Sequence, residues 1–506
     1  QSPATMSLVC LYIKLTMQSR SDRHTRAYTL RDEYIRNKTK VLSYEYNFTL
    51  GANLQLNEDE QVVNQILMGH KLAELDDYFE NPERFSFAQP YFTYRDEINN
   101  SKVYQIIKQM PKGAVLHIHG TLALDVDYFM PMTYQEHLYV CGVDDNLRFY
   151  YSEAVPKLPC PVPWILLSEM RANDTNFDYR LRRLLSMKPQ SVKRDSNTIW
   201  TQFNNVYLLM KDLIMYRPNR EQYFYDLLKK FYDDNVLYIE FRGGIHKLYE
   251  LDGTEHGGDY MLGLYRDIVS KFQQTYPDFV GIKFIVTKHR LSSNETVKTA
   301  IENAISLQEK HPELIAGFDL VGQEDKGVPL SNLLPILLEY KDKINYFFHA
   351  GETNWYGTST DENLADAIML GAKRIGHAYA LMKHPYLIQM AREQNIGLEV
   401  NILSNIVLGL VQDVRNHPLA MYLAIGLPVI LSSDDPGPWG ADPISHDFYI
   451  AFVGAAHRNA DLRLLKKLVL NSIQFSTLAD DRKEDFLKIF EKRWQLFLKT
   501  VIHMNL

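Results

Sequence analysis

The chain has 506 residues, 46% hydrophobic and 23% charged, an ordinary globular composition with length for one large domain plus additions. Its 55 Lys+Arg against 62 Asp+Glu give a net charge of −7, and no basic block or basic-aromatic stripe follows, which argues against a nucleic-acid partner. The apolar stretch 8–15 is broken by Lys14 and far too short to cross a bilayer, so no membrane span is expected.

Residues 1–27 start on Gln1 and read as a disordered remnant of a processed or longer chain. Over 28–105 apolar residues recur at three-to-four spacing, as in VVNQILMGHKLAELDDYF, which predicts a helical region whose apolar face covers the main domain or a partner subunit. From 106 to 506 the character changes. Eight short β-rich runs follow, at 114–118, 236–241, 282–287, 315–320, 344–349, 374–377, 398–401 and 428–433, most of them separated by helical stretches. Runs this short and apolar suit strands buried on both faces, and their alternation with helices implies a parallel sheet. Eight of them predict an α/β fold, a (β/α)8 TIM barrel. A doubly wound open sheet would explain the alternation equally well, but it would not gather residues from the first, fifth and eighth strands. The gap between the first two runs is too long for one crossover, and 128–185, Pro-rich and holding Cys141 and Cys160, is the expected insertion. Cys10 is the third cysteine, and no C-x-x-C pair exists. A bond between Cys141 and Cys160 would contribute roughly 3 kcal/mol through loop closure; two buried free thiols are the alternative.

Polar residues end nearly every run, among them Arg242, His289, Asp319 and Asn401, and in such barrels that rim carries the active site. His117 and His119, at i and i+2 on a strand, point to one side. His349 ends the fifth run with Glu352 three residues on, His377 ends the sixth, and Asp434-Asp435 end the eighth. Each alone is better read as structural, a satisfied core histidine or a turn carboxylate. Together, three histidines and an aspartate from three strands form a nitrogen/oxygen set suited to Zn2+, with Glu352, His377 and Asp435 left as acid/base groups.

These motifs, in MPKGAVLHIHG, DNVLYIEFR, AGFDLVGQED, YFFHAGET, RIGHAYAL and SSDDPGPWG, resemble the secreted adenosine deaminase-related growth factors from about residue 28 onward. The resemblance implies a zinc-dependent amidohydrolase barrel, a helical dimerisation region at 28–105 and a Cys141–Cys160 disulfide closing the insertion. It implies one zinc on His117, His119, His349 and Asp434, activating water. His377 would take a proton from that water, Glu352 would protonate N1 of the purine, Asp435 would bond N7, and the Gly322 N–H would reach N3. Glu240, Tyr260 and Gln323 are expected near the ribose. The implied reaction is hydrolysis of adenosine, with 2′-deoxyadenosine as a second substrate, to inosine and ammonia. A homodimer, secretion, growth-factor activity and a cell-surface receptor or glycosaminoglycan partner come with the family.

The chain also departs from that pattern. Gly120 stands where Asp is usual, Tyr260 where Trp is common, Gln323 where His is common, and Ala378 follows His377 in place of Gly. After the seventh strand Asn401-Ile-Leu-Ser404-Asn405 replaces a Cys-Pro motif. These changes leave open a second reading, a secreted growth factor or receptor-binding protein with weak or altered nucleoside turnover. A different amidohydrolase reaction, on an ester or amide, would use a similar centre, but Glu352 is suited to protonating a ring nitrogen. The cytidine-deaminase class is excluded because H-x-E and P-C-x-x-C are missing. Secretion also fits five Asn-x-Ser/Thr acceptors, at Asn37, Asn47, Asn99, Asn173 and Asn294.

Overall fold

The computed structural model describes residues 29–143, 146–188 and 195–504; the remnant 1–27, Cys10 included, lies outside the described residues. Each of the eight apolar runs contributes a strand: β1 (Gly113–His119), β2 (Val236–Gly243), β3 (Gly281–His289), β4 (Ile315–Val321), β5 (His349–Ala350), β6 (Arg374–His377), β7 (Gly397–Val400) and β8 (Val429–Leu431). β1 to β4 pair in chain order, as do β5 to β8, and all these pairings are parallel. Single bridges between Ile118 and Asp434 and between Phe318 and Tyr346 join the two sheets at both seams. The sheet therefore closes into the expected (β/α)8 barrel. Every residue of β6, β7 and β8 is buried, as a strand with helices outside and packed side chains inside requires.

Outer helices include Gly258–Thr275, Asn294–Lys310 and Ser359–Met369, the last two capped by Ser293 and Thr358 side chains on the third residue's N–H. The long connection from β1 to β2 holds a three-stranded antiparallel sheet (Leu138–Cys141, Arg148–Tyr151, Ile165–Leu166) with the Cys141–Cys160 disulfide, Cα atoms 6.4 Å apart. Two long helices, Ser196–Ile214 and Arg217–Asp233, complete that crossover. Before the barrel come a helix over 29–47 (α1) and α2 (Glu58–Glu80). α2 opens with a capping box between Asn57 and Glu60, and Glu60 also accepts from Lys466 Nζ at 2.6 Å and Trp494 Nε1 at 2.8 Å, tying it to the barrel's C-terminal helices. α1 instead lies open, with Leu30, Tyr34, Val41 and Tyr44 all exposed.

The barrel interior is not purely apolar. Glu240 and Arg242 on β2, Asp319 on β4, Arg374 on β6 and Glu399 on β7 are all fully buried and joined in one chain. Arg374 contacts Glu240 at 2.7 Å and Glu399 at 2.5 Å, and Arg242 contacts Glu399 at 2.5 Å and Asp319 at 2.9 Å. Burying charge is tolerable only with such complete pairing.

Candidate active site

This charged floor holds the residues above it. Glu399 Oε2 accepts from His117 Nδ1 at 2.9 Å, and Asp319 Oδ2 from His349 Nδ1 at 2.6 Å. Both imidazoles thus carry their proton on Nδ1 and present the bare Nε2 to the barrel axis. These two Nε2 atoms lie 3.2 Å apart, and two lone pairs at that distance repel unless a cation sits between them. Asp434 Oδ1 lies 3.3 Å from His117 Nε2 and 3.2 Å from His119 Nε2, is buried, and has no hydrogen-bond partner of its own. Three nitrogens and an unsatisfied carboxylate oxygen converging in this way fit a borderline-soft divalent cation such as Zn2+. Potential ligand atoms of His117, His349, His377 and Asp434 lie within 4.8 Å of one another, and so, as a second set, do those of His119, Asp434 and Asp435.

Backbone geometry aims these groups. Asp434 and His377 adopt φ of +60° and +61°, a left-handed conformation that costs non-glycine residues energy and is tolerated where the surroundings fix it. Asp434 is fixed by β1, exchanging hydrogen bonds with the His117 carbonyl and the His119 N–H. Ala378, where a glycine was expected, also has positive φ, +49°, and Tyr422 Oη donates to its carbonyl at 2.7 Å.

His377 is fully enclosed, its Nε2 3.6 Å from Asp434 Oδ2 and its Nδ1 3.5 Å from Glu352 Oε1. Asn405 Nδ2 stands 3.2 Å from the same Nδ1, and His417 Nε2 meets Asn405 Oδ1 at 2.9 Å from behind. Burial drives the His377 pKa well below the usual imidazole range, so the ring is neutral. The Glu352 carboxyl is pushed the other way, by burial first and then by Asp434 and Glu324, which favours its protonated form. Asp435 is likewise raised, by burial and by the adjoining Asp434. Glu324 fixes the Glu352 loop by accepting from the Gly351 and Glu352 N–H groups at 3.1 and 2.6 Å.

Above them lies one cavity of about 660 Å³, within the range of small-molecule sites. His119, His349, Glu352, His377, Asp434, Asp435 and Gly322 line it. Gly322 has φ +100°, and a Cβ there would lie 2.4 Å from His289 Nε2, so only glycine fits. Three residues expected at the ribose are not brought to this cavity. Glu240 and Arg242 both face the barrel interior at i and i+2, but Glu240 lies in the deeper layer, bonded to Arg374 and, at 2.6 Å, to the Thr477 N–H. Tyr260 is 43% exposed and stacks on His256, turned toward the hairpin of Leu248–Tyr249 and Glu255–His256. Gln323 donates to Asn197 Oδ1 at 3.1 Å, away from the cavity. A side chain at Gly120 would first meet Phe241, at 3.5 Å, in ordinary contact.

Sequence reasoning also missed residues. Trp200, Phe203 and Tyr207 of helix Ser196–Ile214 form a wall of the cavity, and Glu399 orients His117. A lone carboxylate within the apolar run LEVN was the available signal for Glu399.

Comparison with known proteins agrees in fold and extent. A family model described as adenosine deaminase matches residues 182–492, and one described as adenosine/AMP deaminase N-terminal matches 8–107. A protein of Aedes albopictus named adenosine deaminase is 39% identical over 92% of this chain and 88% of its own length. Human adenosine deaminase 2 is 38% identical over 92% of this chain and 93% of its own. The crystal structure of an Arabidopsis N6-mAMP deaminase superposes with a TM-score of 0.56 at 16% identity, covering 77% of this chain and 99% of that one.

Proposed function

The chain belongs to the adenosine deaminase family, and on that premise we propose that it hydrolyses adenosine, and 2′-deoxyadenosine, to the inosine nucleosides and ammonia. One observation carries this reading: His117, His119, His349, His377 and Asp434 crowd the inner end of a ligand-sized cavity as two overlapping sets of metal-type donors, with the Glu352 carboxyl, its pKa raised by burial, beside them.

His117, His119, His349 and Asp434 would hold Zn2+, which when bound supplies the Lewis acidity that lets water attack near neutral pH. His377, neutral and beside Asp434, takes a proton from the attacking water, and the nearby Asp434 and Glu352 oxygens stabilise the imidazolium that forms. Glu352 delivers its proton to N1, drawing electrons from C6 as the tetrahedral centre forms. Asp435, also protonated, donates to N7, and the Gly322 N–H reaches N3. The adenine plane is thereby fixed at several points, the positioning that hydrolysis at one ring carbon demands.

The protein's setting belongs to the same proposal. The Cys141–Cys160 disulfide favours an oxidising, extracellular location, and all five glycan acceptor asparagines are exposed. The apolar stripe of α1 supports assigning 28–105 as a dimerisation region, covered by a second copy, with the deaminase barrel over 106–506 and its insertion at 128–185. The experiment is ammonia release from adenosine by purified protein with and without stoichiometric zinc. Absence of turnover in the zinc-loaded protein would reject the assignment.

A further inference from the structure

The cavity continues outward, past the inner end where the donors meet, between helix Ser196–Ile214 and the end of β3. Lys211 and Lys288 line this outer portion together with His246. Neither lysine forms an ion pair with a carboxylate among the described residues. The acid next in sequence, Asp212, is spent on Arg148 at 2.7 Å, and Asp259, at the far wall, pairs with Lys310 at 3.0 Å. The three groups sense one another. Burial, and after it Lys211, Arg220 and Lys288, push the His246 pKa down to about 3, which favours a neutral ring beside these cations. The lowered pKa of Lys211, caused first by burial, also carries repulsion from Arg148, Lys288 and Arg220, relieved only by Asp212. Two lysines lining one end of a cavity, neither of them ion-paired with a carboxylate among the described residues, form a place where an anion is stabilised.

The identity of that anion follows from the proposed chemistry, on which this inference rests. With C6 of a purine at the inner donors, N9 and the ribose point outward, and the 5′ carbon is the substituent farthest from C6. We propose that Lys211 and Lys288 form a phosphate subsite, so that the cavity takes purine nucleoside 5′-monophosphates as well as nucleosides. The lysines donate charge-assisted hydrogen bonds to the phosphoryl oxygens, and His246 adds a neutral N–H donor.

Product-type probes test this independently of turnover. Calorimetric titration of the full chain with inosine and with inosine 5′-monophosphate should show the phosphate ester binding about 10-fold tighter or more, the effect of one charge-assisted hydrogen bond. Raising the ionic strength should shrink that ratio in the unaltered protein. Lys211→Met and Lys288→Met should each lower it, with inosine binding as the check that the variant is folded. If inosine binds but its monophosphate binds no tighter, or the advantage survives both substitutions and high salt, the subsite is overturned while the deaminase reading stands. If neither ligand binds, the nucleoside reading itself falls, and the subsite with it. Inorganic phosphate that binds at the lysines while leaving the two ligands equal also overturns the proposal, since it would mark an anion site detached from the nucleoside.

Discussion

Glu399→Gln keeps the shape of the side chain and removes one charge from the barrel floor. In the parent, the two carboxylate oxygens accept from His117 Nδ1, Arg242 Nη2 and Arg374 Nε at 2.9, 2.5 and 2.5 Å. An amide offers one accepting oxygen, so its NH2 must face a donor whichever way it turns. If it faces Arg374, the guanidinium keeps Glu240 but meets a second donor in place of a carboxylate oxygen, a loss of about 1–3 kcal/mol. If it takes the other place it faces both Arg242 and His117; Nδ1–H loses its acceptor, the proton can move to Nε2, and the lone pair that would face a metal is gone. Loss of such a supporting contact weakens metal binding about 10–100-fold, or about 1.4–2.7 kcal/mol. Competition with a chelator gives the zinc affinity, and urea unfolding of the metal-free protein gives the stability. A variant with both values unchanged would refute the account of the floor as the support of His117.

Glu352→Gln should retain zinc and the fold while losing about 10²–10⁴ in kcat for adenosine, measured by ammonia release, because the amide has no proton to give N1. Gly322→Ala places a Cβ 2.4 Å from His289 Nε2 at a φ of +100°, so the loop must shift. Loss of one hydrogen bond to the purine then predicts about a 3–10-fold fall in kcat/KM, checked by steady-state kinetics against an unchanged zinc content. His417 is held neutral, accepting from the Leu419 N–H on Nδ1 and facing Asn405 Oδ1 with Nε2, and burial lowers its pKa to about 3. Its unfolded value is near 6.5. Between these values the unfolded chain binds more protons, so stability falls as pH drops through that window. His417→Gln should make the decline of the unfolding midpoint from pH 6.5 to 4 shallower, and an equally steep decline would contradict the assignment.

Strands were legible where burial on both faces left no choice of residue. LEVN, RIGH and PVILSS admit little but a buried strand, and each became one. That His349, His377 and Asp434 meet at one cavity could be read as well, because a histidine or aspartate closing a barrel strand has one rim to occupy. Depth along a strand could not. Glu240 and Arg242 share a parity and differ only by one layer, which barrel tilt sets and alternation does not reveal. Tyr260 and Gln323 sit where a connection leaves its strand, and their directions depend on neighbours far away in sequence, His256 and Asn197. The aromatic wall of helix Ser196–Ile214 was hidden for the same reason: its residues follow helical spacing whether they face a core or a ligand.

The chain of Glu240, Arg374, Glu399, Arg242 and Asp319 also bears on how this barrel can change over generations. Each member contacts at least one other, so their substitutions are not independent, and the cost of a pair differs from the sum of its singles. Replacing Arg374 alone strands Glu240 and leaves Glu399 one partner short, whereas a companion change that neutralises Glu240 removes much of the penalty. The floor therefore tolerates substitution as a block better than residue by residue. A substitution on an exposed loop leaves these five pairings untouched, while a change at any one of them reaches the others and, through Glu399 and Asp319, His117 and His349 above them.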